Sequence, residues 1–286
     1  MTYTLLDFDA IRNQGFDYTI PKESYALIQK LAKTVGDSGY SPTPVFPKKD
    51  KPKPLREPFK ATKRLESKGN DKRIQELTSM LNKVTHDTVA TVTTQMIVKI
   101  HEIEEECNED MPKVYTVLFE MMLSNRFYIQ SYVTMFIHIM HEWPLLKDEL
   151  DKRILKHKED MFQVEVCDTT EYDRFCRLKS LHEYQRTTTQ FILYLTLQDR
   201  LDTSILKQFY AEIKQYIQEG IQQSSQKGRV EEWVEHMYIL TTLGNSILSV
   251  LKPELESMTT LSMKEYPGMS NKSMFRYMDM VENIFV

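Results

Sequence analysis

The sequence predicts an all-α protein: an α-solenoid of about five stacked helical pairs, preceded by a pair of short helices and an extended Pro/Lys-rich linker. Three observations predict it. Apolar residues recur at three- and four-residue steps in segment after segment. Only eight glycines occur in 286 residues, while methionine is abundant at 16. Glycine is the residue that tight turns and phosphate-cradling loops need, and long helices do without it. Pro112, Pro144 and Pro253 sit where the first turn of a helix tolerates a missing N–H. A chain of this length is ample for a core, as one large domain or two.

The stretch from Arg73 to Thr88 sets the theme. Ile74, Leu77 and Leu81, with Met80 beside them, form one apolar stripe. Asn82, Lys83 and Val84 follow, and Thr85 offers a side-chain oxygen to cap a second helix starting near His86. Two helices with so short a joint form a helical hairpin. Upstream, residues 1–36 hold two short helical candidates. One places Leu5, Leu6, Phe8 and Ile11 close together before Gly15. The other places Tyr25, Ile28, Leu31, Ala32 and Val35 on one face before Gly36. Helices this short are marginal alone, so they must pack on the body or on a partner. Residues 37–69 are broken by Pro42, Pro44, Pro47, Pro52, Pro54 and Pro58, with lysines between them, which predicts an extended linker.

From Asn70 onward ten helices are expected, over 70–83, 86–107, 111–124, 126–142, 144–166, 171–198, 203–223, 228–251, 253–264 and 270–285. Their pairs begin at intervals overlapping the roughly 40–47 residues of helical-pair solenoids. No crisp internal repeat is visible, and a diverged solenoid needs none, since each hairpin only has to bury its face on its neighbours. Residues 70–286 therefore make the body.

Charge divides the chain. Lys48 to Arg73 carries a net +7 against −11 for the rest, together giving the total of −4. Two readings of the basic arm stand. Its lysines are simply solvated, or Lys48, Lys49, Lys51, Lys53, Arg56, Lys60, Lys63 and Arg64 meet RNA phosphates or an acidic partner. Phe59 is the one large aromatic there, with nothing local to bury it, which favours docking. Three scattered cysteines, Cys107, Cys167 and Cys176, and no signal peptide at the start fit a reducing, intracellular compartment, and the cytoplasm is the expected location. The most apolar run, Phe127 to Met140, is shorter than the roughly 18–20 residues of a membrane span and reads as a buried helix. No membrane partner is expected.

No catalytic motif emerges: there is neither a Gly-rich loop ending in Gly-Lys nor a Gly-x-Ser-x-Gly elbow. An enzyme is not expected, nor any cofactor or metal. His138 and His141 lie one turn apart but lack accompanying ligands. Cys167, Cys176 and His182 are too loosely spaced for zinc. Tyr184 to Gln198 reads as a core stripe around Phe191 and Leu195. The acidic run Glu102, Glu104, Glu105, Glu106, Glu109 and Asp110 is read as a solvated face or a docking patch, with Lys147, Lys152, Arg153, Lys156 and Lys158 as an internal counter-surface. The last helix is expected to put Phe275, Met278 and Val281 on one face, leaving Arg276 and Tyr277 exposed for partner contact.

Four segments, in order, resemble the middle domain of eukaryotic initiation factor 4 gamma. Leu81, Asn82, Lys83, Val84 and Thr85 match its Leu-Asn-Lys-Leu-Thr helix end. Val114 to Met140 resembles its second hairpin, Arg177 to Leu206 its Arg-Ser-Leu-Gly-Asn segment, and Lys272 to Ile284 its Ser-Arg-Ile-Arg-Phe-Met end. The sequence departs from the pattern at Met274 and at His182 to Arg186. The resemblance implies five HEAT-like pairs that clamp a DEAD-box helicase of initiation factor 4A type and bind mRNA. It implies one helicase lobe at Phe59, Leu81, Asn82 and Lys83, and the other at Arg276 and Tyr277. Tyr3, Leu5, Leu6 and Phe8 resemble a shortened motif for a cap-binding protein. The absence of long flanking arms makes the chain look like a compact, viral version. Rivals are a same-fold regulator in mRNA decay or poly(A)-linked control, and a plain RNA-binding module led by the arm.

Overall fold

A computed structural model describes residues 20–35, 69–167 and 170–285. Among these, all regular structure is helical. The α-helices are α1 (Lys22–Val35), α2 (Asn70–Leu81), α3 (Val89–Glu106), α4 (Met111–Ser124), α5 (Ile129–Glu142) and α6 (Leu145–Phe162). They continue with α7 (Tyr172–Leu197), α8 (Thr203–Gly220), α9 (Lys227–Gly244), α10 (Lys252–Thr259) and α11 (Asn271–Phe285). The chain divides into two units, Met1–Lys63 and Arg64–Val286. In the first, α1 is an amphipathic helix whose Tyr25, Leu27, Ile28 and Leu31 are all exposed.

In the second unit the ten expected helices form, and their main contacts join helices no more than three places apart in the chain. α2 packs on α3 and α4, α3 on α5, α4 and α5 on α7, α6 on α7 and α8, α7 and α8 on α9, and α9 and α10 on α11. Each helix therefore buries its stripe against helices nearby in the chain, more often two or three places away than next in line. Phe119, Phe136 and Phe191 tie α4, α5 and α7 together, with ring centroids 5.2 to 6.5 Å apart, and the Arg153 guanidinium lies 4.5 Å from the Phe119 centroid. Further along, the Trp233 indole N–H donates to the Met161 carbonyl at 3.0 Å and the Arg229 Nε–H donates to the Val164 carbonyl at 2.9 Å. Both bonds hold the chain leaving α6 against α9.

Local chemistry explains the boundaries. Asp202 caps α8 by accepting the Ser204 N–H at 2.7 Å, and those bonds hold its carboxyl below the usual range. After α7, Asp199 takes φ 55° and the Arg200 N–H closes back on the Leu195 carbonyl at 2.9 Å, a left-handed helix stop. α3 begins at Val89, three residues later than the sequence suggests. Thr85 does supply the expected cap: its Oγ1 accepts the Thr88 N–H at 3.3 Å, Thr88 Oγ1 accepts the Thr85 N–H at 2.9 Å and donates to the Lys83 carbonyl at 2.7 Å, and the Val89 N–H bonds the Thr85 carbonyl at 3.0 Å, so the capped residues 86–88 form a turn before the regular helix begins. Gly268 fits where nothing larger would: a Cβ there would lie 2.2 Å from the Gly220 carbonyl oxygen. Its N–H donates to the Ile221 carbonyl, pinning the strap between α10 and α11 onto the end of α8.

Candidate functional site

At the α2–α3 turn, Asn82 and Lys83 are exposed, whereas Leu81 is fully buried and its carbonyl accepts the Tyr132 hydroxyl at 3.2 Å. Leu81 is thus a core residue, because it completes the Ile74–Leu77 stripe, and only its two successors can face a partner. The acidic run at the far end of α3, beside the start of α2, is largely neutralised. Arg73 of α2 pairs with Glu102 and Glu106, Lys99 with Glu76 and Glu102, and Lys113 with Asp110. Glu104 accepts the Trp143 indole N–H at 2.9 Å. The expected counter-surface on α6 is used elsewhere: Lys152 and Arg153 pair with Glu149, and Lys158 with Glu212.

At the other end, α11 presents a different face from the expected one. Ser273, Tyr277 and Met280 are buried, while Phe275 is 63 % exposed and Met278 is 41 % exposed. Tyr277 is only 3 % exposed, and burial, reinforced by Tyr210 and Glu254, pushes its phenol upward. It is a packing residue against α8 and α10, not a surface anchor. Arg276 is engaged as well. Its Nε–H donates to Glu235 at 3.1 Å, its Nη1 reaches Asp279 at 3.2 Å, and its guanidinium lies 4.7 Å from the Tyr238 ring centroid. Lys272 is looser, 3.6 Å from Glu231 and 3.8 Å from Glu235.

Between the start of α7 and α9 lies a cleft of about 430 Å³. Val166, Phe175 and Leu178 give it apolar walls, and Gly228 lets α9 come close, since a Cβ there would meet Val166 at 2.9 Å. Its charged rim is internally matched: Arg186 bridges Glu183 and Glu232, and His182 donates from Nε2 to the Glu165 carbonyl at 3.0 Å. Glu235 and Lys272 connect this cleft to a shallower hollow beside Phe275.

Sequence reasoning missed one buried cluster. His157 Nε2 lies 2.9 Å from Thr189 Oγ1, which lies 2.8 Å from His236 Nδ1. One hydroxyl thus links imidazoles from α6 and α9 across α7. Its single proton goes either to one ring or to the Gln185 carbonyl at 3.3 Å, and it accepts from each ring that it does not serve. Burial drives the His157 imidazole down to about 4. It drives His236 well below its usual range, helped by the positive field of His157, Arg186, His182 and Arg126. The only sequence signal was the run Thr187–Thr189 inside a helix: Thr187 and Thr188 donate back to a carbonyl one turn earlier, and the Thr189 hydroxyl lies 3.3 Å from the Gln185 carbonyl.

His138 and His141 are both exposed, and no group of three or more metal-ligating side chains occurs among the described residues. Cys107, Cys167 and Cys176 are free thiols. No described helix is long and apolar enough to cross a membrane. Tyr3, Leu5, Leu6, Phe8, Lys48, Lys49, Lys51, Lys53, Arg56, Phe59, Lys60, Lys63 and Arg64 lie outside the described residues. Compared with known proteins, the chain matches no family model, no curated protein and no solved structure.

Proposed function

We propose that the chain is a non-catalytic, cytoplasmic translation-initiation scaffold, a HEAT-like helical array that binds a DEAD-box helicase of initiation factor 4A type and mRNA, with a cap-binding protein as a further partner. The observation that carries this reading is the placement of the four resembling segments. They fall in order on α2 and its turn, on α4–α5, on α7 into α8, and on α11, in a body whose helices pack chiefly on helices within three places in the chain. Such a body offers separate surfaces at its first and last helices, and a scaffold acts by holding mobile lobes together, lowering the ordering cost of their closure on RNA and ATP.

The residues available for that contact are Asn82 and Lys83 at the first turn, and Lys272, Phe275 and Met278 on α11. The test is helicase ATPase stimulation by the full chain at saturating RNA. Asn82→Ala/Lys83→Glu and, separately, Lys272→Glu/Phe275→Ala each reduce stimulation and co-purification of the helicase. Undiminished stimulation by the combined variant overturns the reading.

A further inference from the structure

α1 is built to lie on a surface. At about 100° per residue, Leu27, Leu31, Ile28 and Tyr25 fall on one arc of roughly 160°. Lys22, Lys30 and Lys33, with Gln29 and Glu23, fall on the opposite arc. Leu27 is 62 % exposed, Leu31 55 %, Tyr25 54 % and Ile28 52 %. A helix of 14 residues is marginal in water, so an apolar arc this wide calls for something to cover it.

Charge says what that is. A helix seated in a coiled-coil seam carries a narrower stripe with charges flanking the contact. Here the charges gather on the far side and sum to +2, three lysines against Glu23. Positive charge continues downstream, where Lys48 to Lys68 holds 9 Lys or Arg against 3 Asp or Glu, a net of +6. Strong amphipathicity, low net hydrophobicity and a lysine-rich polar face describe a helix lying in a lipid interface. Stable attachment takes two signals, and an adjacent polybasic stretch supplies the second through the negative potential of anionic lipid.

We infer that α1 is a peripheral membrane anchor, laying Tyr25, Leu27, Ile28 and Leu31 into the headgroup boundary of an anionic bilayer while Lys22 and Lys33 stay in water. This differs from spanning the bilayer, and it is independent of the scaffold reading.

The experiment is co-sedimentation of the full chain with vesicles of phosphatidylcholine containing about one third phosphatidylserine, and with pure phosphatidylcholine. The expected result is binding to the anionic vesicles, weakened at least tenfold by Ile28→Asp/Leu31→Asp and several-fold by Lys22→Glu/Lys33→Glu or by 0.5 M salt, and little binding to pure phosphatidylcholine. An unchanged far-UV circular dichroism melting transition in the variants separates loss of binding from loss of folding. The inference is overturned if the wild type does not sediment with anionic vesicles at low salt. It is equally overturned if Ile28→Asp/Leu31→Asp binds as well as wild type, which would leave the basic arm alone responsible. Loss of binding to an RNA oligonucleotide in that variant, without any vesicle binding by wild type, would assign the helix to nucleic acid instead.

Discussion

Acidification from pH 7 to pH 5 should destabilise this protein through two buried imidazoles. His157 and His236 are both fully desolvated around Thr189 and both are held neutral in the folded state. For His157 the folded value is about 4 against 6.5 for the free side chain. Between those values the unfolded chain binds the proton and the folded chain does not. The stabilisation is therefore fully present above pH 6.5 and is lost as pH falls towards 4. At about 1.4 kcal/mol per pH unit the complete loss is about 3 kcal/mol, of which about 2 kcal/mol has gone by pH 5. His236 adds to this in the same direction. Set against a total stability of about 5–15 kcal/mol, the effect is large enough to measure. Glu102 and Asp202 are held low by Lys99 and Ser204, so what they contribute is lost only below their ordinary values of 4.5 and 3.8. Urea unfolding at fixed pH is the assay. Wild type should lose at least about 2 kcal/mol between pH 7 and pH 5, and His157→Leu/His236→Leu should lose little over the same range, whatever its stability at pH 7. Thr189 keeps an acceptor in that variant, the Gln185 carbonyl at 3.3 Å. A wild-type midpoint flat between pH 7 and pH 5, or a double variant with the full wild-type slope, refutes the reasoning.

Three further substitutions probe particular contacts. Gly268→Ala places a methyl 2.2 Å from one carbonyl oxygen and 2.7 Å from another, both backbone, so the strap must lift and the bond to Ile221 must break. The expected cost is about 3 kcal/mol in urea unfolding, and a cost under about 1 kcal/mol would mean the strap is not held there. Tyr277→Ala should cost about 3–4 kcal/mol by opening a cavity among α8, α10 and α11, so a fall in thermal midpoint must accompany any binding defect it shows. Asp199→Gly should raise stability by about 0.5–1 kcal/mol, because glycine adopts φ 55° without the strain that a Cβ imposes; a drop in midpoint counts against that account.

The helices were legible because their signals are local. Spacing of apolar residues found each segment, and Pro112, Pro144 and Pro253 marked starts that the structure keeps to within a residue or so. The ends were harder. α9 was expected to run to residue 251 and stops at Gly244, since Val250 and Leu248 are buried in the turn that follows rather than in another helical turn. The face of α11 was misread for a different reason. Phe275 and Met278 outweigh Ser273 and Tyr277 on any hydrophobicity count, yet the neighbours of α11 take the smaller serine and the tyrosine ring. The His157–Thr189–His236 link was out of reach of sequence reasoning, because 79 residues separate its two imidazoles and only the packing of α6, α7 and α9 brings them together.

Arg276 shows why pairing inside the chain bears on how a partner would dock. The carboxylate it serves, on Glu235, is only 8 % exposed. Pulling the guanidinium away towards a partner would leave that carboxylate desolvated and served only by Lys272 at 3.8 Å, a loss that direct contact with the partner would first have to offset. Lys272, half exposed and held at longer distances, can turn outward at little cost. Phe275 and Met278 are already presented and lose only water when covered. A partner that docks on α11 therefore gains most from the two apolar side chains and from Lys272, with Arg276 as the post that keeps α11 fixed to α9. The same logic applies at the first turn. Leu81 sets the direction of the α2–α3 turn from within the core, and Asn82 and Lys83 are the side chains that the turn leaves free to make contact.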